Sequence, residues 1–333
     1  MTTAYNKSAH EGKSVFEDTS CSPSSRIASL ESNNNIIIWD ANSGEELTSL
    51  NFLNTDHKMI PSMCCSRDGC RLAASRGSTV SIWNINSDNS FELMRTITTG
   101  HSDIASLCLN FDGSRMFYRH NDLFLCHWDI ESDIMIWSHC ATDGKSLYAV
   151  DICVDGTLVA TGSTNMLVQL FYAESGDEMC QFTGHDGSVT FVQFNPDGTR
   201  IASAADDTTI RIWDITSRTQ VMLLKGHTSY ITSLCYSCDG HRLASGSFDR
   251  NVMLWDVESG ICLLILRGHT SFVISVSFSC EGSIIASGGY DKKVIIWDSA
   301  SGCEIKRMDK YSHDVRHVCF LSDVSVSADY LLK

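Results

Sequence analysis

The chain repeats itself at a period near 42 residues, and that period constrains its fold more than any other feature. Ile212-Trp213-Asp214 recurs as Leu254-Trp255-Asp256 and again as Ile296-Trp297-Asp298, so these tryptophans stand 42 residues apart. Counting back from Trp213 meets Phe171, Trp128, Trp83 and Trp39, at intervals of 42, 43, 45 and 44. Seven units therefore run from about residue 26 to the end of the sequence. A fixed period of this size marks one supersecondary unit stacked on copies of itself.

Other markers keep the same register. A serine lies four positions after every aromatic, from Ser43 through Ser87, Ser132, Ser175, Ser217 and Ser259 to Ser301, and four of these precede a glycine. Sixteen residues before the aromatic stands Asp112-Gly113, Asp155-Gly156, Asp197-Gly198 or Asp239-Gly240, with Glu281-Gly282 as a variant; Asp68-Gly69 precedes Trp83 by fifteen. Asp-Gly and Ser-Gly are turn chemistry. Between the turns lie runs rich in Val, Ile, Leu, Phe and Thr, such as 189–194 and 209–213, too short for helices. One unit is thus four short strands joined by turns.

The Gly-His pairs Gly100-His101, Gly184-His185, Gly226-His227 and Gly268-His269 open units that close on Trp-Asp. With the period, this resembles the WD-repeat family over about nine tenths of the chain. The resemblance implies an all-β fold: a single seven-bladed β-propeller of four-stranded antiparallel blades. It does not imply a function, because one fold hosts many.

The first unit lacks a first strand. Arg26-Ile27-Ala28-Ser29 matches Arg200-Ile201-Ala202-Ser203 in sequence and in distance to its tryptophan, with no strand ahead of it. The missing piece lies at the other end, where 315–321 is similar to 189–195. The last blade is therefore expected to be closed by both termini, which removes free sheet edges. The expected division is a flexible polar tail over 1–22, the propeller over 23–323, and a surplus or truncated strand-like tail over 324–333.

Composition narrows the partners. The formal net charge is −15 with no basic block, which argues against nucleic acid. No run of 18 apolar residues and no apolar N-terminal stretch is present, so neither a membrane span nor a signal peptide is expected. Fifteen cysteines, many within strand patterns, suit a reducing compartment, cytoplasmic or nuclear. Cys235 and Cys238 form a C-x-x-C, and Cys64, Cys65 and Cys70 cluster, but no second pair has zinc-site spacing, so no metal and no cofactor are expected.

Histidines beside serines and aspartates suggest a hydrolase, but the resemblance implies another role. In WD-repeat proteins a His, a Ser or Thr, an Asp and the Trp form a hydrogen-bonded set within each blade. Here those sets are His185, Ser203, Asp207 and Trp213; His227, Ser245, Asp249 and Trp255; and His269, Ser287, Asp291 and Trp297. Three copies argue for framework rather than for a catalytic site, so no enzyme and no small-molecule substrate are expected. The other blades depart: Tyr118 holds the serine position before Trp128, with His101 and Asp122 present; Gly77, Asn165 and Asn33 stand at the Asp position of the Trp83, Phe171 and Trp39 blades. Gly12-Lys13-Ser14 and Gly144-Lys145-Ser146 lack the upstream glycine of a phosphate loop. The arginine of the Trp-Asp-x-Arg signature found in ubiquitin-ligase substrate receptors is missing at all seven positions, Asn42, Asn86, Glu131, Glu174, Thr216, Glu258 and Ala300.

Propellers of this family bind partners on the face formed by the loops entering the first strand and leaving the second. By that resemblance Tyr230, Thr232 and Phe248 point there from one blade, Phe272, Ile274 and Tyr290 from the next, and Ser188, Thr190 and Asp206 from the one before. Four aromatics beside an acid resemble a binding hot spot. The expected function is a protein–protein interaction scaffold that binds a peptide or protein segment within a larger complex. The alternative is a substrate-recognition subunit, for instance of a ubiquitin ligase.

Overall fold

The computed structural model describes residues 26–33, 35–51, 62–86, 88, 90–101, 104–120, 123–141 and 146–321. Within them, 28 strands form seven four-stranded antiparallel sheets. The first strands of successive sheets adjoin one another around an inner ring, so the sheets are the blades of a seven-bladed β-propeller. The tails expected over 1–22 and 324–333 lie outside the described residues. Among the described residues no helix is long and apolar enough to cross a membrane.

The Trp213 blade shows how one repeat builds one blade. Its strands are Val189–Phe194, Arg200–Ala205, Thr209–Asp214 and Thr219–Lys225. The second strand packs between neighbouring blades, and Ile201 to Ala205 are buried throughout. Short side chains here let adjacent sheets approach. The Asp-Gly marker is the turn between first and second strands. Gly198 sits at φ 74°, its N–H donates to the Asn195 carbonyl at 3.0 Å, and Asp197 Oδ1 accepts the Thr199 N–H at 2.8 Å. That φ is open to glycine without steric cost.

The serine four residues after the aromatic also finds its role. The Asp of Trp-Asp accepts its backbone N–H: Asp214 from Ser217 at 2.8 Å, Asp256 from Ser259 at 2.7 Å and Asp298 from Ser301 at 2.7 Å. This side-chain cap holds the turn into the fourth strand. In all seven blades the register between third and fourth strands shifts at the aromatic, as between Ile212 and Trp213. The recurring bulge re-aims each ring.

The ring closes as the sequence implies. Val315–Leu321 pairs antiparallel with Arg26–Glu31, in a register that sets Ala28 opposite Cys319. Its sheet continues through Asn35–Asp40 and Glu46–Asn51. Among the described residues seven apolar clusters form, and each fills the seam between two adjacent blades. One joins Trp39 and Phe320 to Ile296 and Met308 across the closing seam. A buried Val, Leu or Ile contributes about 1.5–3 kcal/mol. An exposed ion pair such as Arg71–Glu131, at 2.6 Å, contributes about 0–1 kcal/mol. Seam packing therefore dominates the stability of the ring.

Candidate partner-binding face

Three blades carry complete polar sets. Trp213 Nε1 donates to Ser203 Oγ at 2.8 Å, Ser203 Oγ lies 2.7 Å from His185 Nε2, and His185 Nδ1 lies 2.8 Å from Asp207 Oδ2. The carboxylate can only accept, so Nδ1 carries the proton. Burial lowers the His185 pKa and keeps the ring neutral, so Nε2 accepts from the serine hydroxyl. The proton order is Trp to Ser to His to Asp. Trp255, Ser245, His227 and Asp249 repeat the geometry at 2.9, 2.7 and 2.7 Å. Trp297, Ser287, His269 and Asp291 do so at 2.8, 2.8 and 2.9 Å. For Asp249 burial acts upward, but hydrogen bonds from His227 and from the Thr228 and Asn251 backbone N–H groups outweigh it and bring the carboxyl down to about 2. The serine of each set is fully buried and already accepts an indole N–H, which leaves no approach for a substrate.

The Asp also ties down the loop entering the first strand. Asp207 accepts the Asp186 N–H at 3.0 Å, Asp249 that of Thr228 at 3.0 Å and Asp291 that of Thr270 at 2.9 Å. The sets thus position the face on which a partner is expected.

The closing blade corrects one expectation. Its Asn33 marked it as lacking a set, yet a set is present with other residues. Trp39 Nε1 donates to Ser29 Oγ at 2.9 Å, and Tyr311 O–H donates to the same oxygen at 2.8 Å. Tyr311 takes the histidine's place, 42 residues after His269. Glu31 takes the aspartate's role: its Oε1 accepts the backbone N–H groups of Ser312 at 3.0 Å and His313 at 3.1 Å. The longer carboxylate side chain reaches from two positions earlier than the usual aspartate. The Trp128 blade departs further: its indole donates to the exposed Asp133 at 3.2 Å instead of joining a set. Asp122 lies outside the described residues.

The four aromatics meet in one row. Tyr230 and Phe248 have ring centroids 6.0 Å apart, Phe248 and Phe272 are stacked at 4.2 Å across the blade seam, and Phe272 and Tyr290 lie 5.8 Å apart. Backbone bonds fasten each pair within its blade, Phe248 N–H to Tyr230 O and Tyr290 N–H to Phe272 O, both at 2.9 Å. Tyr230 is 50% exposed and Phe272 38%, whereas Phe248 and Tyr290 are half-buried. At 4.2 Å the Phe248 and Phe272 faces fill each other, so a ligand meets the row on its outer side rather than between those rings.

The remaining positions divide. Asp206 is half-buried, and repeat register sets it across the seam from Tyr230 as Phe248 stands across from Phe272. Burial, with Asp207 beside it, raises its pKa. Thr190 and Thr232 face the seams: Thr190 Oγ1 donates to Ile231 O at 2.5 Å and Thr232 Oγ1 to Val273 O at 2.7 Å. Ile274 occupies the same position one blade on and is half-buried. Arg316 joins the row, although no motif in the sequence marks it. Its guanidinium lies 4.5 Å from the Tyr290 ring centre and donates to the Tyr290 hydroxyl. Its signal was available, since it stands 42 residues after Ile274 in the closing first strand.

Comparison with known families agrees with this architecture. The family described as WD domain, G-beta repeat matches residues 176–214, 218–256 and 260–298. Each match spans the fourth strand of one blade and the first three strands of the next, and each holds one complete set. No curated protein matches the chain.

Proposed function

We propose, from the premise that the chain belongs to the WD-repeat β-propeller family, that it is a scaffold holding a peptide or protein segment on the face that bears the Tyr230 to Tyr290 row. Propellers of this kind are in general protein-interaction scaffolds. The observation that carries the reading is the row itself: four aromatics and a stacked arginine from three consecutive blades, with two of the rings exposed. Clustered exposed aromatics invite non-specific association, so their retention favours a use. Rigid aromatic rings and arginine are also the residue types that dominate hot spots.

The two ends of the row differ in charge. Asp206 by register neighbours Tyr230 and suits a basic or apolar anchor there. Arg316 occupies the Tyr290 end and suits a carboxylate. A ligand segment running across the row should therefore carry its cation toward Tyr230 and its anion toward Arg316. The scaffold would act within a larger complex, in the cytoplasm or nucleus, where free thiols persist.

Selection from a displayed random-peptide library tests the reading. Peptides selected on the wild-type chain should bind Phe272→Ala or Tyr230→Ala more weakly by about 2 kcal/mol or more. Retention of wild-type affinity by both variants would move the binding surface off this face.

A further inference from the structure

The Trp128 blade has lost the usual polar set and gathered other donors in its place. Tyr118 fills the position of Ser203, Ser245 and Ser287, and its hydroxyl lies 3.3 Å from His101 Nδ1. His120 lies two residues on. Four blades hold a small residue at that position, Ser163, Ala205, Ser247 or Gly289; strand register places Arg76 there in the Trp83 blade, and the closing blade holds Glu31, which is fully engaged. His120 is only 4% exposed, and neither ring nitrogen has a hydrogen-bond partner among the described residues. Cys126 comes from the third strand, opposite Tyr118 in the register. The donor atoms of His101, His120 and Cys126 all lie within 4.8 Å of one another.

Burying an imidazole with both nitrogens unpaired is costly, and a native fold normally gives such a group a partner. Four sister blades avoid the cost with a small side chain. We propose that His101, His120 and Cys126 form a site for a zinc-class divalent ion. Two imidazole nitrogens and one thiolate are the donors such ions favour, whereas calcium and magnesium favour oxygen. Three protein ligands leave a fourth position for a water or another donor. On binding, the Cys126 thiol releases its proton to solvent as the sulfur–metal bond forms, and both imidazoles bind through neutral nitrogen lone pairs.

The geometry also states what must move. The His101 and His120 rings are stacked at 3.9 Å with planes 1° apart. In-plane lone pairs of parallel rings cannot converge on one ion. Loading therefore turns the less buried ring, His101, out of the stack. Local sequence spacing gives no sign of the site, because strand pairing and a loop, not a short motif, bring residues 101, 120 and 126 together.

Cobalt(II) titration of the full chain tests this, since a thiolate–cobalt charge-transfer band reports sulfur ligation and zinc should displace it. The many other cysteines make the variants decisive. His120→Ser carries the residue that sister blades hold, and Cys126→Ser keeps the side-chain shape. Each should weaken cobalt binding by about tenfold or more, the scale on which even outer-shell partners act, with an unchanged circular dichroism spectrum. Should one variant fail to fold, the other decides. An absent charge-transfer band in the wild type overturns the proposal. So does equal binding by wild type and folded variant, which would assign the metal to other thiols.

Discussion

The Trp255 indole N–H ends on the oxygen of the fully buried Ser245. Trp255→Phe keeps most of the ring but leaves Ser245 without its donor. The expected cost is about 1–3 kcal/mol, the penalty for an unpaired buried polar group, read as a lower urea midpoint at unchanged slope. An unaltered midpoint would show that the polar set contributes little beyond packing. A second residue, His317, lies on the closing first strand, where burial lowers its pKa to about 4. The unfolded chain binds this proton near pH 6.5. Its contribution is therefore complete above pH 6.5 and is lost as pH falls toward 4, by at most about 1.4 kcal/mol per pH unit. Ser233 and Ser275 occupy its position in sister blades. His317→Ser should flatten the fall of stability between pH 6.5 and 4; an unchanged slope would show that His317 does not titrate with unfolding.

Blades differ in how well their polar groups are satisfied, so their opening free energies should differ. Those of Trp213, Trp255 and Trp297 hold complete sets. In the Phe171 blade Thr161 holds the serine position, yet its buried hydroxyl has no hydrogen-bond partner among the described residues, since phenylalanine offers no N–H. In the Trp83 blade Gly77 stands where an aspartate would tie the entering loop. Amide hydrogen exchange should be slowest in the second and third strands over 200–256 and 284–298, and faster around 71–85 and 158–172. Equal protection in all seven blades would assign stability to the seams alone.

A ring has no terminal blade only if its last seam closes. Here that seam rests on Val315–Leu321 lying between Arg26–Glu31 and the neighbouring Trp297 blade, with Tyr311 and Glu31 bonded across the join. Removing residues 313–333 should expose a sheet edge and strip one face of the Trp39 core. Aggregation or a gross fall in melting temperature is the expected result. A truncated chain that stays monomeric with the full-length melting temperature would show that the seam closes by other means. The formal charge of −15 bears on partners rather than on fold. It favours basic segments approaching a face where Asp206 and Arg316 set opposite local signs.

The seven units, the strand-and-turn content of each, the three regular polar sets and the origin of the closing strand were all readable from the sequence. Each is written in short-range patterns repeated at a fixed period: alternating apolar residues, Asp-Gly and Ser-Gly turns, and a tryptophan ten residues after its serine. Repetition supplies what one copy lacks, because a register held seven times cannot be accidental. Only the tertiary structure decided the rest. Tyr311 and Glu31 complete a set across a separation of about 280 residues. Their types break the motif, and only closure of the ring brings them to the same serine and loop. Register assigns Phe248, Phe272 and Arg316 to one face, but ring stacking depends on the angle and distance between adjacent sheets, which seam packing sets. His101, His120 and Cys126 meet for the same reason. Strand pairing joins residues whose sequence spacing carries no signature, and the burial that leaves His120 unpaired exists only in the folded ring.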